Sequence, residues 1–254
     1  MLKKRFHSLL VVLCIATTLP ILAQTKVGAA LSQIRPSKYS GPLPAGEFRN
    51  QQVELPRDAE RRIVRETRYK GTYPEVRDPV ELNPNGPPED GVAVISDYAG
   101  PVNPLPASWA AAVVIGTVLD GKAFVSDDRT YVYSDFHVRI DEVLKQDDPI
   151  NLAAGGQLVA SRGGGTIRFP SGRVRHYVNQ GEGMPTVGSR YLLFLGRPNI
   201  SEPEYEVIIG AIYEIKNGKV HPLDDISTQM DNTNEQDFVG KVRDAIKASS
   251  GGKP

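Results

Sequence analysis

The sequence predicts a mainly β domain, a small barrel or sandwich carrying one C-terminal helix and preceded by a disordered, proline-rich segment. Three observations point there. Twelve of the 20 prolines fall between residues 24 and 106. From Trp109 onward, apolar residues alternate or run continuously over strand-length windows separated by turn residues. After residue 232 the apolar spacing changes to that of a helix. The expected boundaries are 1–23, 24–106, 107–226 and 227–254.

The chain opens as an export signal. Lys3, Lys4 and Arg5 form a positive region, residues 9–16 an apolar one, and Ile21-Leu22-Ala23 a small-residue cleavage site. Pro20 breaks the apolar stretch well short of the ~20 residues a spanning helix needs. The reading is cleavage near Ala23 and a secreted or periplasmic protein with no transmembrane segment. Without the three basic residues of the signal, 27 of the 30 basic groups face 30 acidic ones, a net of −3, so nucleic acid is not an expected partner. The one cysteine, Cys14, lies inside the signal. The exported chain therefore has no disulfide and no thiol nucleophile.

Residues 24–106 read as an extended tether, since runs such as Asn83-Pro84-Asn85-Gly86-Pro87-Pro88 enter neither a helix nor a central strand. Residues 57–70 form the exception. A short helix there would set Ala59, Ile63 and Val64 apart from five arginines, a docking segment for an anionic envelope surface or simply a solvated turn.

Strands are expected at 110–119, 130–140, 157–161, 166–169, 174–178, 190–195, 205–215 and 219–221. Within 130–140, Val132, Phe136, Val138 and Ile140 mark a buried face, leaving Tyr131, Tyr133, Asp135, His137 and Arg139 on the other. Gly163-Gly164-Gly165 is expected to join two strands as a flexible hairpin. Pro170-Ser171-Gly172 closes a second hairpin, and Asn217-Gly218 suits a type I′ turn because both residues tolerate positive φ. Thr233 with Gln236 forms a capping box for a helix whose apolar face is Phe238, Val242, Ala245 and Ile246.

Candidate chemistry is sparse. Ser134-Asp135-Phe136-His137 holds the residue types of a hydrolytic triad, but alternation along a strand sends Ser134 to the opposite face from Asp135 and His137. The histidines of the exported chain, His137, His176 and His221, lack metal-binding spacing, and no cofactor motif occurs. The pairs Asp127-Asp128, Asp147-Asp148 and Asp224-Asp225 read as turn aspartates. Arg168, Arg173, Arg175 and Tyr177 make the second hairpin basic and aromatic, suited to a carboxylate, a sugar or a peptide.

The runs 111–118, 133–145 and 187–195 resemble the strand series of bacterial exported domains in the netrin/TIMP-like OB-fold group, over residues 109–223. The resemblance implies an OB-like β-barrel. It implies no metalloprotease inhibition, because the cysteines that carry that activity in the animal inhibitors have no counterpart here. The expected function is that of a non-enzymatic envelope module binding a protein or glycan through Tyr131, Tyr133, His137 and Arg139 and the hairpin residues Arg168, Arg173, Arg175 and Tyr177. The competing reading is a hydrolase or metal-dependent enzyme with a site around Asp127, Asp128 and His221.

Overall fold

The computed structural model describes residues 43–47, 75–79, 84–85, 89–97, 102–126, 128–147, 151–197 and 204–250. The expected signal, the arginine-bearing stretch at 57–70, and Asp127 lie outside the described residues. The strands that follow Trp109 are β3 (Ala112–Val125), β4 (Val132–Gln146), β5 (Gln157–Gly163), β6 (Gly165–Arg168), β7 (Val174–Gln180), β8 (Arg190–Gly196), β9 (Tyr205–Lys216), β10 (Lys219–Pro222) and β11 (Thr233–Asn234). One helix, α1 (Glu235–Ser250), ends the described chain. The fold is mainly β with a C-terminal helix, as the alternation predicts.

Five strands pair in a ring. β3 lies antiparallel to β4, β4 to β5, β9 to β8 and β8 back to β3, while β5 and β9 run parallel. Their inward side chains, among them Val114, Val118, Phe136, Val138, Leu158, Leu193 and Ile212, form the main core. Outside the ring, Val113, Ile115, Leu192, Phe194 and Tyr213 meet Phe238, Val239 and Val242 of α1. The strands here are buried on both faces, which is why 110–119 reads as a continuous apolar run rather than an alternation.

Turn chemistry sets the register. Asn217 and Gly218 adopt φ of 54° and 69° and join β9 to β10, the left-handed pair expected of that dipeptide. The helix start differs from the expected box. Thr233 and Asn234 extend the sheet as β11 against β10, and the Asn234 Oδ1 accepts from the Gln236 N–H at 2.9 Å. Asn234 is thus the cap, one residue later than Thr233.

Beyond the ring, β3 and β4 continue as a long ribbon. Register shifts between Val113 and Asp120 mark bulges, which bend and twist a strand pair as the ribbon leaves the ring. The triple glycine is no hairpin. β5 and β6 do not pair with each other; Gly164 and Gly165, at φ 99° and 149°, turn the chain out of the ring so that β6 pairs with β7 instead. Only residues without a side chain adopt that backbone cheaply.

The described parts of 24–106 belong to this sheet, which the expectation of a tether did not include. β1 (Ala45–Glu47) lies parallel between β3 and β6. β2 (Glu89–Asp97) lies parallel to β7. Val76 packs with Ala123, Val132, Ile167, Phe169 and Tyr177 in a third core, and its N–H reaches the Arg129 carbonyl at 2.6 Å. Asp78 accepts from the Ser171 N–H and hydroxyl in the β6–β7 turn. Prolines suit these roles, since a ring-fixed φ lowers the entropy lost when a segment is laid down on a surface.

Candidate ligand-binding cleft

A cleft of about 630 Å³ opens where the ribbon meets β1 and β6. Directly opposed residues share a face of a sheet, and the register places Asp120 opposite His137, Lys122 opposite Asp135 and also Ala45, and Ala45 opposite Thr166. The walls are therefore long side chains, those of Lys122 and Phe124 on β3 and Arg168 on β6. The floor is short, being the Ala45 methyl, Thr166 and the backbone of Gly46 and Gly121. Gly46 is required at its position because a Cβ there would overlap the Ala123 carbonyl oxygen.

Two of the residues expected to bind a ligand, His137 and Arg168, line this cleft. His137 is exposed, with Nδ1 at 2.5 Å from Asp120 Oδ1. Arg168 is exposed at the rim. The others are distributed differently. Tyr133 and Tyr177 are buried, at 2% and 3% exposure, correcting their expected place on an open face. At this end of β4 both faces are covered: Tyr133 stacks on Phe124 with centroids 5.6 Å apart, while Val132 on the opposite face enters the third core. Tyr177 belongs to that core, with the Arg175 guanidinium 5.7 Å from its ring. Tyr131 is half-buried, its hydroxyl 3.3 Å from the Asn179 side-chain amide. Arg173 donates to the Pro84 carbonyl at 2.9 Å. Arg139 is exposed and bonded to Asp141 and Thr117 at 3.3 Å.

Sequence reasoning missed Asp120, Lys122 and Phe124. The signal was present: 120–124 alternates Asp, Gly, Lys, Ala, Phe, placing small residues on one face and long ones on the other. Ala45 and Gly46 carried no such signal, because their place depends on pairing with strands far along the chain.

A second cluster is structural in character. Arg162 on β5, 2% exposed, bonds Asp224 and lies 3.4 Å from Glu182. Asp224 also accepts the N–H groups of Gly183 and Gly210, at 3.0 and 2.7 Å. This aspartate is not the solvated turn residue its sequence context suggests; it ties β5, β9 and two loops together. Burial pushes the Glu182 carboxyl above its ordinary range despite the opposing attraction of Arg162. Burial likewise pushes the Tyr213 hydroxyl up to about 12, and that hydroxyl donates to the Pro104 carbonyl.

The residues named for an enzyme have separate partners. Asp128 accepts from Ser126, the Thr130 N–H and the Thr130 hydroxyl, the pattern of a capped turn. His221 bonds Asp231 at 2.9 Å. The Ser134 hydroxyl donates to the Gly164 carbonyl and the Ser161 hydroxyl to Asp135, whereas His137 faces Asp120 and His176 bonds Thr166. Among the described residues, no group of three or more His, Asp or Glu side chains is placed to hold a metal ion, and no helix is long and apolar enough to cross a membrane. No protein-family model matches the chain, and no curated protein does.

Proposed function

We propose that this chain is a non-enzymatic binding module of the cell envelope, exported by its N-terminal signal and built on an OB-like β-barrel. The ring of five strands with a single parallel pair supports the barrel, since OB barrels are five-stranded and bind on a sheet face and its adjoining loops. The observation that carries the binding reading is the cleft over β1. It is concave, about 630 Å³, and bounded by Lys122, Arg168 and the His137–Asp120 pair, a few polar groups converging on one space. Envelope protein or glycan is the class of partner.

Affinity capture tests this reading. The exported chain, residues 24–254, is immobilised beside a triple variant His137→Ala, Lys122→Ala, Arg168→Ala and exposed to envelope extract of the producing cells. Retention by the native chain and its loss in the variant is expected; equal retention by both, or retention by neither, refutes the cleft as the binding surface. The bait must keep its N-terminal segment, because β1 supplies the cleft floor.

A further inference from the structure

The chemistry of the cleft narrows the ligand, and this inference rests on the binding reading above. Two inter-strand steps of about 4.8 Å each separate β3 from β6 across the thin strand β1, so the valley between them is about 10 Å wide. Lys122 stands on one bank and Arg168 on the other, both on the cleft face and both exposed. Among the described residues neither forms an ion pair; Lys122 lies over the Phe124 ring at 5.3 Å. The acidic groups nearby are engaged elsewhere. Asp135, opposite Lys122, accepts from Ser161 at 2.7 Å, and Asp120 holds His137 through Oδ1.

We infer that the valley takes an acidic sugar, a hexuronate, with its carboxylate held between Lys122 and Arg168 and its ring hydroxyls donating to Asp120. A guanidinium matches the planar carboxylate with two parallel hydrogen bonds, and an ammonium across the valley adds a charge-assisted third. Asp120 decides between kinds of anion. Its carboxylate gives a hydroxyl-bearing ligand an acceptor while repelling a second negative charge beside the first, which disfavours phosphate esters and favours a hydroxylated monocarboxylate. The short floor gives the space for a ring: with only the Ala45 methyl and bare glycine backbone beneath, nothing stands between the two banks. The same unit can arrive free or within a polysaccharide.

Calorimetric titration of the exported chain separates these cases. The probes are D-galacturonate, its linear trimer, D-galactose and inorganic phosphate, each to ~10 mM, which detects even millimolar affinity. Saturable binding of galacturonate, none of galactose, and weaker binding of phosphate are expected. Lys122→Gln and Arg168→Gln should each weaken uronate binding ~10-fold, as loss of a charged hydrogen bond does, while Arg139→Gln, outside the cleft, leaves it unchanged. Both cleft positions are exposed, so unchanged thermal unfolding is expected and serves as the folding control. Tighter binding of the trimer identifies a polymer as the source; equal binding identifies the free acid. Absence of uronate binding, equal binding of galactose, or indifference to both glutamine variants overturns the inference. If uronates fail but Lys122→Gln and Arg168→Gln still abolish envelope capture, the binding reading stands and only the acidic sugar falls; if capture is also unaffected, both fall.

Discussion

The β3–β4 ribbon is covered at both of its ends, and the two covers are held by different forces. At the ring end α1 lays Phe238, Val239 and Val242 onto Val113, Ile115, Leu192 and Phe194, so the attachment is apolar and extensive. At the far end the cover comes from the proline-rich segment and is attached mainly through backbone and polar groups: β1 pairing with β6, the Thr166 N–H on the Pro44 carbonyl at 2.8 Å, and Asp78 on the β6–β7 turn. Hydrophobic contact scales with area and depends little on register, whereas strand insertion depends on every residue fitting its slot. The first cover should fail with the whole fold, and the second by itself.

The largest effect is expected from Phe238→Ala. The side chain is fully buried against Tyr213, with ring centroids 4.6 Å apart, and its removal should cost about 3–5 kcal/mol, read as a shifted urea midpoint with the transition still cooperative. A loss confined to helix signals, with the strands unmoved, would break the comparison by showing that α1 is a separable attachment. Next comes Asp224→Asn, which takes away the nearest carboxylate from a buried guanidinium. Glu182 remains 3.4 Å from Arg162, so the cost should fall at the low end for a broken buried pair, about 3 kcal/mol. A variant as stable as the native chain would show that this cluster sets geometry rather than stability.

Gly46→Val addresses the other end. Its side chain would overlap the Ala123 carbonyl, forcing β1 out of its slot at a cost of about 1–3 kcal/mol. Amide exchange should then quicken at Thr166 and the β1 residues while the ring strands keep their protection, the signature of a local opening. Quickening throughout the ring would mean that the two covers fail together.

This contrast also explains which parts of the fold were legible in the sequence. Where a strand's partners lie nearby and its cover is apolar, the local pattern suffices: Asn217-Gly218, the alternation from Phe136 to Ile140, and the helical face of Phe238 and Val242 all read directly. Where the cover comes from residues remote in the chain, the pattern misleads. Tyr133 alternates correctly with Phe136 and Val138, yet it is buried because β4 is enclosed on both faces at that end. The period of two says which residues share a face but not whether that face meets water. Asp224 shows the same gap for polar groups: an aspartate in a turn-like run reads as solvated until the arginine 62 residues earlier is placed beside it. The cleft was half legible. His137 and Arg168 were named for their chemistry, whereas Lys122 and the floor at Ala45 became members of one site only through parallel pairing across β1.

Glu182 offers the finest probe, because it reports on the ring-end cluster without dismantling it. Burial raises its carboxyl above the ordinary 4.5, so between that pH and its folded value the native state holds a proton that the unfolded chain has released. Stability from this group is therefore fully present below about pH 4.5 and is lost as pH rises through the folded value. Glu182→Gln keeps the shape and stays neutral throughout. Its stability relative to the native chain should accordingly improve from about pH 4 to about pH 7, by less than the other substitutions cost, and the difference should be read from paired urea titrations at each pH. An opposite slope would mean that Arg162 outweighs burial and holds the carboxylate charged in the folded state, in which case the ring end, like the far end, is fastened by polar pairing as well as by apolar area.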